Sequence, residues 1–185
     1  MVRYEYKRPG GLIHLDVKKL GRIERVGHRI TGDRRDTRRG VGWEFVHVCI
    51  DDHSRVAYAE VLPDEKGLTT VGFLERATAW FAQRGIRVRR VMSDNGSNYV
   101  SKVFGAACKA LSQRHLRTRP YTPRTNGKAE RFIQTLLREW AYAQPYEHSK
   151  LRTAALRKYL RYYNEHRPHG SLKSMPPISR IKRAA

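Results

Sequence analysis

The pattern that most narrows the fold is a run of three strand-like segments with no helix between them. In 12-LIHLDVKKL-20, Ile13, Leu15 and Val17 alternate with His14 and Asp16, the period-two signature of a half-buried strand. The segments 43-WEFVHVCI-50 and 55-RVAYAEVL-62 follow, joined by 51-DDHS-54, a tight-turn sequence in which Asp51 and Asp52 serve the turn. Three strands in succession imply an antiparallel meander. Residues 21–40 carry seven arginines and four glycines and read as a long exposed turn region or a loose hairpin.

The period then changes. In 67-GLTTVGFLERATAWFAQRG-85, Val71, Leu74, Thr78 and Phe81 fall on one helical stripe, with Gly85 where a C-cap belongs. A strand at 86-IRVRRVM-92 stops at 93-SDNGSN-98; a helix is expected over about 99–112 and a short strand over 114-RHLRTR-119. Phe132, Ile133, Leu136, Leu137 and Trp140 form the apolar stripe of a further helix. In the last helix, 150–167, Leu151, Ala155, Tyr159 and Tyr162 share a face, and Pro168 ends it.

The expected fold class is therefore α/β: a mixed sheet, with an antiparallel meander of three strands plus parallel strands, flanked by helices. No Gly-x-Gly-x-x-Gly follows the first strand, which sets a dinucleotide fold aside. The expected organisation is a basic arm or linker over 1–11, a folded core over 12–170, and a basic, proline-marked tail over 171–185.

Charge says what such a fold would meet. The 38 Lys and Arg against 17 Asp and Glu give a formal +21, which points to a polyanionic partner, nucleic acid above all. Residues 101–185 hold 19 basic and only four acidic residues, so the second half is the expected electrostatic footprint. Cys49 and Cys108 read as buried thiols of a reducing compartment. No apolar run approaches a membrane span and no secretory leader opens the chain, so a cytoplasmic protein without a membrane partner is expected.

In a chain short of acids, those at element ends stand out. Asp16 lies near the end of the first strand, and Asp94 follows the fourth in a Ser-Asp-Asn-Gly turn. Ligands gather at the carboxyl ends of strands in open α/β sheets. Glu130 sits at the border of its helix's apolar stripe, flanked by Lys128 and Arg131. Three converging carboxylates bind hard divalent cations, and a pair of such ions can clamp an in-line phosphoryl displacement. Each acid also has a bland account: Asp94 as a turn former, Asp16 in a salt bridge with Lys18 or Lys19, and Glu130 opposite a helix macrodipole.

These residues resemble a known pattern. Asp16, Asp94 and, after 35 intervening residues, Glu130 match the D,D(35)E signature of retroviral-integrase-like transposases. The stretches 12-LIHLDVKKLGRI-23, 47-HVCIDDHSRVAYAEVL-62, 93-SDNGSNYVS-101, 118-TRPYTPRTNGKAERFIQTLLREW-140 and 163-YNEHRPHGSL-172 are similar to the IS481 group, relatives of the IS3 transposases. The resemblance implies an RNase H-like, integrase-type catalytic core over 12–170. It makes Asp16, Asp94 and Glu130 the catalytic residues and the ligands of two Mg²⁺ ions, for which Mn²⁺ substitutes. The implied activity is that of a polynucleotidyl transferase that cuts DNA and joins a 3′-OH to target DNA.

Lys18, Lys19, Arg124, Lys128 and Arg131 are the implied DNA contacts, with Asn95 and Gly96 completing the Asp94 turn. The implied partners are transposon-end and target DNA and a homo-oligomer or a full-length transposase, in a bacterial nucleoid. The chain departs from the family pattern in starting only 15 residues before Asp16, without a helix-turn-helix module, and His14, His28 and His47 lack the cysteine pair of a zinc module. Two alternatives stand beside transposition: a structure-selective, metal-dependent nuclease of the same fold, and a catalytically idle DNA-binding remnant of a transposase.

Overall fold

A computed structural model of the chain describes residues 5–24, 32, 41–118 and 126–181. Most of the arginine-rich stretch 21–40 and of the loop before Gly127 lie outside these residues. Strands β1 (Ile13–Gly21), β2 (Trp43–Asp51) and β3 (Ala57–Leu62) are followed by helix α1 (Gly67–Ala82) and β4 (Arg90–Ser93). Helices α2 (Ser97–Val100) and α3 (Lys102–Ala110), then β5 (Arg114–Arg117), lead to α4 (Gly127–Leu136). A π-helical turn (Leu137–Ala141) continues α4, α5 spans Ser149–Glu165, and two short 3-10 turns follow.

Among the described residues the five strands lie in the order β3-β2-β1-β4-β5. β1, β2 and β3 form the antiparallel meander expected from their alternation, and β4 and β5 add in parallel. The alternation of β1 divides the core. Ile13 and Leu15 face α1, where Phe73, Leu74, Ala77 and Phe81 bury against them. Leu20 faces the other way, packing with Val46, Val48 and Ile50 under Phe132, Ile133 and Leu136 of α4 and Leu156, Tyr159 and Tyr163 of α5. Helices thus cover both faces of the sheet, and each fully buried Leu or Phe contributes about 1.5–3 kcal/mol relative to exposure. Both cysteines are buried as free thiols.

Three sequence expectations are corrected. The helix expected over 99–112 breaks at Ser101, whose extended backbone and Oγ, accepting from the Phe104 N–H, begin a new helix there. The strand expected from residue 86 pairs only from Arg90. The buried face of α5 is Arg152, Leu156, Tyr159 and Tyr163, while Leu151 and Tyr162 are exposed. The cause is Arg152: its Nη2 donates to Glu44 Oε2 at 2.5 Å and to the Gly21 carbonyl at 2.8 Å, so a paired guanidinium takes a place the apolar pattern could not assign. Gly85, at φ 72°, does end α1 as its position suggested.

The two ends of the described chain lie against the 51–55 turn. Asp52 Oδ2 accepts from the Tyr6 N–H at 2.7 Å and Asp51 Oδ1 from the Gly10 N–H at 2.7 Å. Glu5 pairs with Arg55 at 2.8 Å and with Arg180 near the other end.

Candidate active site

β1 has antiparallel β2 on one side and parallel β4 on the other, so the strand order reverses beside it, the place where open α/β sheets form a crevice. The pairing Ile13↔Val91 and His14↔Met92, carried on two residues, sets Asp16 level with Asp94. Asp16 is half-buried on the α4 side of β1, its Oδ1 accepting from the Val17 N–H at 2.8 Å. Asp94 is exposed in a turn that its own Oδ1 closes by accepting from the Gly96 N–H at 2.9 Å. That turn is held from beneath. Ser93 Oγ donates to the Asp94 carbonyl at 2.9 Å, and Asn95 Nδ2 donates to the Thr118 carbonyl at 2.9 Å. Glu130, exposed, lies in the first turn of α4 beside buried Ala129 and Phe132.

Asp16 feels the other two carboxylates. Burial, together with the negative charges of Asp94 and Glu130, pushes Asp16 up to about 6, although the Val17 hydrogen bond pulls the other way. Mutual repulsion of this kind is relieved by a hard divalent cation, so the donor chemistry fits one. Among the described residues, no three His, Cys, Asp or Glu side chains stand close enough together to hold a metal ion. The acids share a field without being closed into one coordination sphere.

The basic residues expected to contact DNA are placed differently from one another. Arg131 is exposed next to Glu130. Lys18 is exposed on the strand and lines a hollow with Ile133, Leu136 and Trp140. Lys19 pairs with Glu65 at 2.8 Å. Arg124 lies outside the described residues. The Lys128 ammonium is bonded within the protein, to the Asp52 carboxylate and, at 3.2 Å, to the Asp52 carbonyl.

Lys128 leads to residues that sequence reasoning passed over. Asp52, fully buried, accepts from His14 Nε2 at 2.8 Å, from Lys128 and from the Tyr6 N–H, and these bonds hold its carboxyl well below the ordinary range despite burial. His14 Nδ1 faces Asn126 Oδ1 at 3.2 Å, and Asn126 Nδ2 donates to the Leu15 carbonyl at 3.0 Å. The signal was present but faint: two adjacent acids in an acid-poor chain, and a histidine two residues before Asp16 on the same strand face.

Residues 7–123 match the integrase core domain family, and residues 111–177 match a second family of the same description. The chain belongs to the integrase core domain family. Its curated relatives include the uncharacterized protein K02A2.6 of Caenorhabditis elegans, 29% identical over 133 residues that cover 72% of this chain and 10% of that protein. The retrovirus-related Pol polyprotein from transposon TNT 1-94 of Nicotiana tabacum is 31% identical over 125 residues, 65% of this chain and 9% of the polyprotein. An insertion element IS136 uncharacterized protein of Agrobacterium fabrum is 29% identical over 91 residues, 49% of this chain and 47% of its own. This integrase core thus spans about a tenth of the first two relatives and about half of the third.

Solved structures agree on the fold. A chain of the simian T-cell lymphotropic virus intasome, solved with PP2A regulatory subunit B56 gamma, superposes with a TM-score of 0.74 at 20% identity, covering 98% of this chain and 57% of that one. The HTLV-2 integrase catalytic core domain, solved in complex with magnesium, gives 0.66 at 16% identity over 95% of this chain and 99% of that one. The mixed sheet with helices on both faces is the RNase H-like fold of integrase cores.

Proposed function

We propose that the chain is the catalytic core of a transposase of the IS481 group, a polynucleotidyl transferase that cuts DNA phosphodiester bonds and joins a 3′-OH to target DNA. The reading rests on one observation above others: the β1–β4 register brings Asp16 level with Asp94, and the charge of Glu130 bears on Asp16 together with that of Asp94.

Asp16, Asp94 and Glu130 are the proposed ligands of two Mg²⁺ ions. When bound, such ions supply Lewis acidity at the scissile phosphate, activating the attacking oxygen and stabilising the leaving one. The protein's own part is positional. Asp16 is fixed on a central strand, Asp94 on a turn bonded to the end of β5, and Glu130 on a helix packed over β1. Arg131 and Lys18 are the exposed cations of the proposed set nearest this crevice in sequence, suited to hold phosphates beside it. The proposed partners are transposon-end and target DNA and further copies of a transposase, in a bacterial cell, with the core ending near residue 170.

Cleavage of a branched DNA that mimics a strand-transfer product tests the reading, because it asks for the chemistry without end recognition. Parent protein should cleave and rejoin this DNA in Mg²⁺ or Mn²⁺, and Glu130→Gln and Asp94→Asn should each abolish both. Cleavage without rejoining would favour a structure-selective nuclease. Folded, DNA-binding protein that yields no metal-dependent product would mark an idle remnant.

A further inference from the structure

α4 carries Glu130 but is not capped in the ordinary way. Asn126 occupies its N-cap position, where an Asn side chain usually accepts from a backbone N–H of the first turn. Here it makes no cap hydrogen bond. Its amide instead reaches across to β1, with Oδ1 toward His14 Nδ1 at 3.2 Å and Nδ2 to the Leu15 carbonyl at 3.0 Å. The far edge of the His14 ring is fixed by Asp52, which also takes Lys128, two residues on from Asn126. Asn126, His14 and Asp52 are all nine-tenths or more buried.

This clamp has a direction. Asn126 meets β1 at His14 and Leu15, whereas Ile133, Leu136 and Trp140 line a hollow with Lys18 and Leu20. Helix and strand therefore run alongside each other in the same sense. Residue 130 lies four positions on from Asn126, on the same helix face and about 6 Å further along the axis at about 1.5 Å per residue. Asp16 lies two positions on from His14, about 6.6 Å along the strand at about 3.3 Å per residue. The two advances are nearly equal, so pinning residue 126 to residue 14 brings residue 130 level with residue 16.

We infer that Asn126, clamped by His14 and Asp52, is a positioning residue that sets the register of α4 on β1 and thereby holds Glu130 opposite Asp16. The value of that alignment for catalysis rests on the proposed function; the alignment itself does not.

The test uses Asn126→Ser, whose hydroxyl can cap α4 but cannot span from His14 to the Leu15 carbonyl, so helix stability and register are separated. In protein carrying Asp16→Cys and Glu130→Cys, the rate of closure by a short bifunctional thiol reagent reports register without DNA or metal, since Cys49 and Cys108 are buried. Closure should be about tenfold slower when Asn126→Ser is added, as expected when a fixed proximity is loosened. Equal closure rates in folded protein would overturn the inference, whatever the activity.

With both acids intact, Asn126→Ser should lower kcat on branched DNA about a hundredfold with KM for DNA unchanged, the signature of misplacement rather than lost binding. Glu130→Gln should then cost far less than in the parent. Full additivity of the two losses, or a rise in KM alone, would count against positioning. Slowed closure in a parent inactive on DNA would uphold the register and remove the proposed function.

Discussion

Asn164 takes both backbone hydrogen bonds of Ala57: its Oδ1 accepts from the Ala57 N–H at 2.8 Å and its Nδ2 donates to the Ala57 carbonyl at 2.8 Å. A helix side chain thus serves as a strand partner to β3, at the edge of the sheet. Asn164→Ala strands two buried backbone groups, each costing about 1–3 kcal/mol. Asn164→Asp replaces the donor with an oxygen facing the Ala57 carbonyl and should destabilise further. Urea midpoints at neutral pH check the order parent, Ala, Asp; an Asp variant as stable as the parent would contradict it.

Arg152 and Glu44 give a second stability prediction. Arg152 is 2% exposed, and Glu44 also accepts from Ser149 Oγ at 2.8 Å. Removing Glu44 alone leaves a buried guanidinium without its counter-charge, a loss of about 3–5 kcal/mol. Pairing Glu44→Gln with Arg152→Met should recover most of that loss, because an apolar replacement leaves no buried charge. A double-mutant cycle in urea measures the recovery.

Asp16 predicts a pH dependence. Its folded-state value, raised to about 6, lies above its ordinary 3.8, so the folded protein binds the proton more tightly than the unfolded chain. Ionised Asp16 therefore subtracts stability above about pH 6, and the penalty fades as pH falls through 6 and is gone below about 4. Asp16→Asn should be the more stable protein at pH 7.5 in chelator, by up to about 3 kcal/mol at about 1.4 kcal/mol per pH unit. The gap should close on acidification to pH 4. On the proposed function, Mn²⁺ should also close it at pH 7.5 by stabilising the parent alone. Melting curves of the pair across pH decide both points.

Gly10 predicts a steric failure far from the acids. It sits at φ 74°, and a Cβ there would stand 2.2 Å from the Arg87 carbonyl oxygen. Its N–H donates to Asp51, and its carbonyl accepts from the Arg89 N–H at 2.8 Å. Gly10→Ala should cost well beyond the roughly 1–2 kcal/mol of a left-handed backbone alone, because the clash is with backbone. Proteolysis at residues 5–11 should speed up in parallel with the fall in Tm.

The sheet was legible because one physical rule wrote it. Ile13, Leu15 and Val17 alternate with His14 and Asp16, and the structure sends the two sets to opposite faces. Asp94 was legible because a strand end and a turn coincide there. What escaped was wherever a polar group is buried by pairing. Arg152 moved the face of α5 by one residue. Asp52, read as a turn former, anchors His14 and holds the ammonium of Lys128, the residue that the family resemblance made a DNA contact. Ion pairs across the fold have no periodicity in the chain, so only the folded structure discloses them.

The tie between Asn126 and His14 joins residues 112 apart in sequence, whereas β1, β2 and β3 are neighbours along the chain. A long closure carries an entropic cost that short ones avoid, and a chain emerging from the ribosome presents its N-terminal part first. The meander can gather while residue 126 is still being synthesised, but the Asn126 tie inferred to set Glu130 opposite Asp16 cannot form until α4 has been made. On the proposed function, assembly of the three acids therefore waits on α4, and a chain cut short before α4 is built would carry Asp16 and Asp94 without Glu130.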